Sequence, residues 1–247
     1  MTYQRFAAVY DFLMRDVDYN GWADYYSALV SRHGITLNAA ADCGCGTGSI
    51  TIALARRGVR MTGVDKSPEM LSVACEKARH NGVSIQFVRQ DMRRLRLHRP
   101  VDCVFSCCDA INYLCTPGDA QTFFRTAYAS VRPGGGVFFD LSTDYKLSRV
   151  LGNHCLGSTA EQVAYIWQNH FDIGKRILQM DLTFFVREQD GRYSRFDETH
   201  LQRAHTVHEL RGWIRDAGFD EPVFYGDRTM SPPSEQEQRI HVAAIRS

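Results

Sequence analysis

The sequence predicts an α/β protein built on a mostly parallel sheet with helices on both faces, and three observations carry that prediction. Between Ala39 and Leu141, short apolar runs with strand character alternate with segments of helical periodicity. Strands that alternate with helices pair in parallel through right-handed crossovers. Gly44, Gly46 and Gly48 follow the first run at every second position, which is how a tight strand-to-helix turn is written. Asp42, Asp65, Asp91, Cys107 and Asp140 close successive runs, and in such sheets ligands bind in the crevice beyond the carboxyl ends of the strands.

The elements follow in order. Tyr3, Phe6, Val9, Tyr10, Leu13 and Met14 have helical spacing. A second helix from about Asn20 carries Trp22, Tyr25, Tyr26, Leu29 and Val30, with Asp18 or Asn20 as its cap. Strand one ends at Asp42, and Ile50, Ile52, Ala53, Leu54 and Ala55 form the buried side of the helix behind the glycines. Arg60 to Asp65 is strand two. Ser67-Pro68-Glu69 opens a helix, with a serine cap and proline in the first turn, that runs through Met70, Leu71, Val73, Ala74 and Ala78 to Asn81-Gly82. Ser84 to Arg89 and Val101 to Ser106 are strands three and four. A helix over Gln121 to Val131, on Phe123, Phe124, Ala127 and Val131, leads to strand five at Val137 to Leu141.

From Glu161 the rhythm changes. Residues 163 to 172, 176 to 186 and 193 to 202 alternate, and Asp190-Gly191 is a hairpin signal, so a three-stranded antiparallel meander is expected. Its covered face has the mouth of the crevice as neighbour. A helix from Val207 to Ala217 and strands near 219 to 225 and 240 to 245 complete the sheet at seven strands. The expected organisation is one domain: a helical cap over 1–34, a cofactor-binding core over 36–145, an inserted lid over 160–204, and the C-terminal part of the core over 205–247.

A glycine turn followed by a helix presents unpaired N–H groups to an anionic ligand group. Asp65 lies at the distance downstream at which a carboxylate meets ribose hydroxyls. A dinucleotide and S-adenosylmethionine both suit that geometry. The segment Asp42-x-Gly44-x-Gly46-Thr47-Gly48, followed by Gly63-Val64-Asp65-Lys66-Ser67, resembles the class I S-adenosylmethionine-dependent methyltransferases. So do Gln90-Asp91-Met92, Val101 to Ser106, Val131-Arg132-Pro133-Gly134-Gly135-Gly136 and Ala217-Gly218-Phe219, which arrive in that family's order across nearly the whole chain. The resemblance implies a Rossmann-like fold, with Asp42, Gly44, Cys45, Gly46 and Gly48 around the methionine part of the cofactor. It implies Asp65, with Lys66 and Met70 beside it, at the ribose, Asp91 and Met92 at adenine, and Cys107 close by. The aromatic N-terminus, with Tyr10, Tyr19 and Trp22, looks like the cap of glycine and amino-sugar N-methyltransferases, where an aromatic face attracts the sulfonium cation.

The loop after strand four, Cys107 to Leu114, is where that family places its methyl acceptor. Asp109 and Tyr113 there, and His200 on the meander, are the candidate catalytic groups, with capping of the following helical turn as the alternative role for Asp109. Asn112, His170, Arg195 and Arg203 are candidate substrate ligands. Alignment and desolvation supply most of the acceleration for an activated methyl, so a strong base is not required.

Composition narrows the classes. A net charge of +1 advertises no large nucleic-acid footprint. The eight cysteines include no Cys-x-x-Cys pair, and no metal site is expected. No charged-then-apolar leader opens the sequence and no apolar run is long enough to span a bilayer, so a reducing cytoplasm and no membrane partner are expected. The reading is a methyltransferase acting on a nitrogen or oxygen of a small molecule. Its rivals are a tRNA or protein methyltransferase, a non-catalytic S-adenosylmethionine-binding module, and an NAD-dependent oxidoreductase. The last usually carries Gly-x-Gly-x-x-Gly instead of alternating glycines. The pattern leaves monomer and homodimer both open.

Overall fold

The computed structural model describes residues 2–160 and 162–247, with the side chains of residues 2–5 and 8 outside the description. Tyr3, as a packing residue, and Glu161, as the start of the lid, therefore lie outside the described residues. Two helices open the chain, α1 (Thr2–Leu13) and α2 (Tyr19–Arg32). Asp18, rather than Asn20, caps α2: its carboxylate accepts from the Gly21 amide at 2.9 Å.

The core then alternates β1 (Ala39–Cys43), α3 (Ser49–Ala55), β2 (Arg60–Asp65), α4 (Pro68–His80), β3 (Gln86–Arg89), β4 (Val101–Ser106), α5 (Pro117–Ser130) and β5 (Val131–Ser142). It is completed after residue 203 by α6 (Val207–Asp216), β10 (Val223–Tyr225) and β11 (Arg239–Ile245). The seven strands lie in the order β10-β11-β5-β4-β1-β2-β3. β11 alone runs against its neighbours, antiparallel to both β5 and β10. The order reverses between β4 and β1, so the crevice opens at the carboxyl ends of these two strands. One face of the sheet is covered by α5 and α6 through Phe123, Phe124, Ala127, Leu210 and Ile214. The other is covered by α2 and α3 through Tyr26, Leu29, Val30, Ala53 and Leu54.

Helix α5 starts four residues before the sequence pattern places it. Thr116 caps it by accepting from the Asp119 amide at 3.1 Å, and Pro117 occupies the first turn. A threonine–proline start is a helix signal, but the Pro117-Gly118 pair reads as a turn when taken alone.

Between β5 and α6 the chain makes a π-helical turn (Lys146–Leu151) and a second sheet. That sheet has four strands, not three: β6 (Cys155–Thr159), β7 (Val163–Asp172), β8 (Ile177–Arg187) and β9 (Tyr193–Arg203), each antiparallel to the next. Every residue of β6 is exposed, so it carries no alternation for the sequence to display. The inner face of the second sheet rests on Leu147 through Leu178 and Met180, and on α1 through Phe184 and Val9.

Candidate active site

The glycine turn builds the floor. Val64 O at the end of β2 accepts from the Gly44 and Cys45 amides at 2.8 and 3.1 Å, which pins the turn to the neighbouring strand. Gly44 has φ +78°, and a Cβ there would stand 2.7 Å from the Ala110 methyl, so only glycine fits. Gly46 has φ +54°, yet a Cβ there would meet nothing within 4 Å: the chain leaves open space above this residue. Asp65 stitches the floor together, one oxygen accepting from the Gly46 amide and the other from the Ser67 amide, both at 2.9 Å.

Asp42 stands at the end of β1, buried, with Oδ2 accepting from Thr51 Oγ1 at 2.6 Å and Oδ1 without a partner. Burial pushes its pKa up to about 7, against the Thr51 hydrogen bond, and the charges of Asp65 and Asp140 add to the rise. Asp91 caps the turn Met92–Arg94 through the Arg93 amide at 2.9 Å. Its carboxylate pairs with the Arg93 guanidinium, which also reaches Asp119 at 2.7 Å. The Arg93 hydrogen bond holds Asp91 below the usual carboxylate range.

The loop after β4 is strained and braced. Cys108 and Asp109 are consecutive non-glycine residues at positive φ, 55° and 53°, a conformation that persists only when its surroundings impose it. Buried Asp140 imposes it. Its two oxygens accept from the Cys108 amide at 2.7 Å and the Asp109 amide at 3.0 Å, and Tyr26 OH donates to the first at 3.1 Å. Arg239, at the start of β11, pairs with Asp140 and reaches Asp109 Oδ1 at 2.6 Å. Gln202 Nε2 donates to Asp109 Oδ2 at 3.1 Å. The Asp109 side chain does not cap the turn Ala110–Tyr113, so the capping role is excluded. Burial alone would raise its pKa, but the positive charges of Arg239 and Lys146 outweigh that and hold it below the usual range.

One cavity of about 910 Å³ joins these groups. Of the residues expected at the cofactor, Tyr10, Tyr19, Trp22, Asp42, Gly44, Cys45, Gly46, Asp65, Lys66, Met70, Asp91, Met92 and Cys107 line it, as do Asp109, Tyr113 and His200. Tyr113 OH and His200 Nδ1 are 3.2 Å apart. Burial and the Lys66 charge lower the pKa of His200, so its ring favours the neutral form. Gly48 lies just outside, as the left-handed N-cap of α3, where a Cβ would press on Ala74 and Phe87.

Four expected substrate ligands are not brought to the cavity. Asn112 is wholly buried and structural, its amide nitrogen donating to Ser142 O and Arg203 O at 3.0 and 2.9 Å. Arg203 is buried in an ion pair with Glu209 at 2.6 Å. Arg195 pairs with Asp197 on the outer face of the second sheet, and His170 is exposed there. The sequence reading overlooked Arg239, Gln202 and Lys146, together with the apolar wall Trp167, Met180 and Leu182, all of which line the cavity. A reversed last strand puts Arg239 opposite Ser142, at the carboxyl end of β5, so the strand order itself was the available signal.

The residues present suit an S-adenosylmethionine-sized ligand. The unpartnered Asp42 Oδ1 is matched to an ammonium, the open space over Gly46 admits a chain against the backbone, and Asp65 stands at the second strand end where a ribose is read. Among the described residues no cluster of His, Cys, Asp and Glu could hold a metal ion, and no helix is long and apolar enough to cross a membrane.

Comparison with known proteins agrees with this geometry. Residues 40–135 match the model of a methyltransferase domain family. The protein YqeM of Bacillus subtilis (strain 168), named provisionally as a methyltransferase, is 36% identical over 100% of this chain and 98% of its own. A crystal structure of an S-adenosylmethionine-dependent methyltransferase from Clostridium acetobutylicum ATCC 824 superposes with a TM-score of 0.90 at 30% identity, covering 99% of each chain. The sugar N-methyltransferase KedS8 from Streptoalloteichus sp ATCC 53650 shares the fold, with a TM-score of 0.81 at 20% identity over 97% of this chain and 93% of that one.

Proposed function

The chain belongs to the class I S-adenosylmethionine-dependent methyltransferases, and from that premise we propose that its acceptor is a nitrogen or oxygen of a small molecule. One observation carries the reading: the strained Cys108-Asp109 loop faces the same cavity as the glycine floor, and the second sheet lines it with Trp167, Met180 and Leu182. That lining leaves room for a compact acceptor and makes the second sheet the lid of the site. KedS8 is a sugar N-methyltransferase, which accords with a small acceptor.

When bound, the cofactor supplies an activated methyl group on a sulfonium. The chain does the rest. Ionised Asp42 accepts from the cofactor ammonium, and Asp65 accepts from ribose hydroxyls while keeping the Gly46 amide in place. Tyr10, Tyr19 and Trp22 close over the site, exclude water and offer π faces to a cation. Asp109, kept ionised by Arg239, accepts a hydrogen bond from the acceptor's N–H or O–H and fixes its line of approach. The neutral His200 ring takes up the proton that an amine or hydroxyl gives up, with Tyr113 OH orienting it through Nδ1.

The test separates acceptors by size. Small-molecule, tRNA and protein pools are each incubated with methyl-labelled S-adenosylmethionine. Label in the small-molecule pool, lost with Asp109→Asn while S-adenosylhomocysteine still binds, supports the reading. Label in tRNA or protein alone overturns it, and binding without label in any pool means a non-catalytic module.

A further inference from the structure

We propose that Lys146 is a carboxylate subsite: the acceptor carries a carboxylate that docks on the Lys146 ammonium beside the Ser142 hydroxyl. The inference rests on the small-molecule reading above and names the chemistry of that molecule.

The placement of Lys146 is built, not incidental. It opens the π-helical turn Lys146–Leu151 directly behind the carboxyl end of β5. Such turns are rare and are found disproportionately at functional sites. Lys146 N donates to Thr143 Oγ1 at 3.2 Å, and Leu147 is sealed beneath the second sheet by Leu178, Met180 and Ala204. The backbone is thereby fixed, and the side chain of Lys146 lines the cavity. Its ammonium donates to Ser142 Oγ at 3.1 Å.

The contrast with neighbouring cations is the argument. Arg239 is committed to Asp109 and Asp140, and Arg93 to Asp91 and Asp119. Among the described residues, no carboxylate oxygen lies within ion-pair distance of Lys146 Nζ. Burial lowers its pKa, and the charge of Asp109 partly restores it. A half-buried ammonium with one neutral hydrogen bond has donors to spare, and an incoming carboxylate supplies a charge-assisted bond. The ionised Asp109 repels a second carboxylate and takes the acceptor's N–H or O–H; of the other cations on the cavity wall, Arg228 pairs with Asp227 at 3.9 Å and Lys66 follows Asp65 on the floor, whereas Lys146 stands beside Ser142 at the end of β5. Leu151, Trp167 and Leu182 supply an apolar wall for the body of the molecule. The carboxylate is an anchor, so the methylated atom is another one.

The experiment uses the full chain and a cell extract divided beforehand, by ion exchange at neutral pH, into anion-retained, cation-retained and unretained pools. Each pool is incubated with methyl-labelled S-adenosylmethionine. Label arising from the anion-retained pool is expected. Lys146→Met should cut kcat/KM for that pool roughly tenfold to a hundredfold, mainly through KM, with S-adenosylhomocysteine affinity unchanged, and Lys146→Arg should restore much of it. A labelled product that carries no carboxylate overturns the subsite, whichever pool it comes from, as does undiminished turnover by Lys146→Met; an amino acid, zwitterionic at neutral pH, emerges unretained and fits the subsite. Absence of label from all three pools instead overturns small-molecule transfer itself.

Discussion

The floor and the roof of the cavity are specified by different means. The floor is backbone: three glycines at positive φ, two amides given to Val64 O, and Asp65 binding two further amides. The roof is side chains: in register across β7, β8 and β9 stand Trp167, Leu182 and Glu198, then Asn169, Met180 and His200. A backbone-defined surface tolerates almost no change and recognises a ligand common to many enzymes. A side-chain surface on a sheet face can be rewritten one residue at a time without disturbing the register, which is where acceptor choice can vary.

The largest effect should come from breaking the floor. Gly44→Ala forces an L-residue to φ +78° with its Cβ 2.7 Å from the Ala110 methyl. Left-handed strain and overpacking together cost about 3 kcal/mol. S-adenosylhomocysteine binding by calorimetry should weaken roughly a hundredfold, with a clear loss of melting temperature. The matching change in the roof, Leu182→Ala, should leave that affinity within about twofold while raising the KM of the acceptor, since a truncated apolar wall loses about 1–2 kcal/mol of contact. Equal damage to cofactor affinity by both variants would erase the distinction.

The same division explains what the sequence displayed. Glycines at alternate positions and carboxylates at strand ends are local signals, so Asp42, Gly44, Gly46 and Asp65 were legible without any tertiary knowledge. Arg239 was not, because its partnership with Asp140 spans 99 positions and depends on β11 running against β5. Strand alternation on the meander shows that alternate residues share a face without showing which face meets the cavity, so it points to His170 and Arg195 as readily as to Gln202 and Trp167. Arg203 is withdrawn from the cavity for a different reason. Thr206-x-x-Glu209 is a capping box, and it holds at the helix start the carboxylate that neutralises Arg203.

An intermediate effect should appear at Asp42, whose buried Oδ1 has no hydrogen-bond partner among the described residues. Burial raises its folded pKa to about 7, well above the ordinary aspartate value of about 3.8. Between those values the folded protein keeps a proton that the unfolded chain releases. The resulting stabilisation is full below the lower value and is lost as the pH rises through the upper one. An ammonium-bearing ligand needs the ionised carboxylate, so binding must expel that proton. S-adenosylhomocysteine affinity should therefore climb by up to about tenfold per pH unit below pH 7 and level off above it. Calorimetry in buffers of different ionisation enthalpy would register proton release near pH 6. Asp42→Asn should abolish the slope, and a slope that survives the substitution would assign it to another group.

The smallest effect concerns helix α1, which belongs to both regions. Toward the roof, Phe6 packs on Phe184 and His200 with ring centroids 5.7 and 5.2 Å apart. Toward the floor, Lys77 of α4 reaches Asp11 at 2.5 Å and donates to Thr47 Oγ1 and Ser49 Oγ at 3.0 and 2.9 Å, while Thr47 Oγ1 donates to Asp11 at 2.7 Å. Thr47 and Ser49 line the cavity, so this network clasps the helix that carries Tyr10 to the loop beneath the cofactor. Its charges are partly exposed, which limits its worth to about 0.5–1 kcal/mol. Lys77→Met should accordingly speed S-adenosylhomocysteine release threefold or so, measured by stopped flow. Added salt should speed release from the parent protein more than from the variant, because the parent has one more ion pair to screen. Equal rates and an equal salt response in parent and variant would mean that α1 is held by the roof alone, and that the floor ends at the glycine turn.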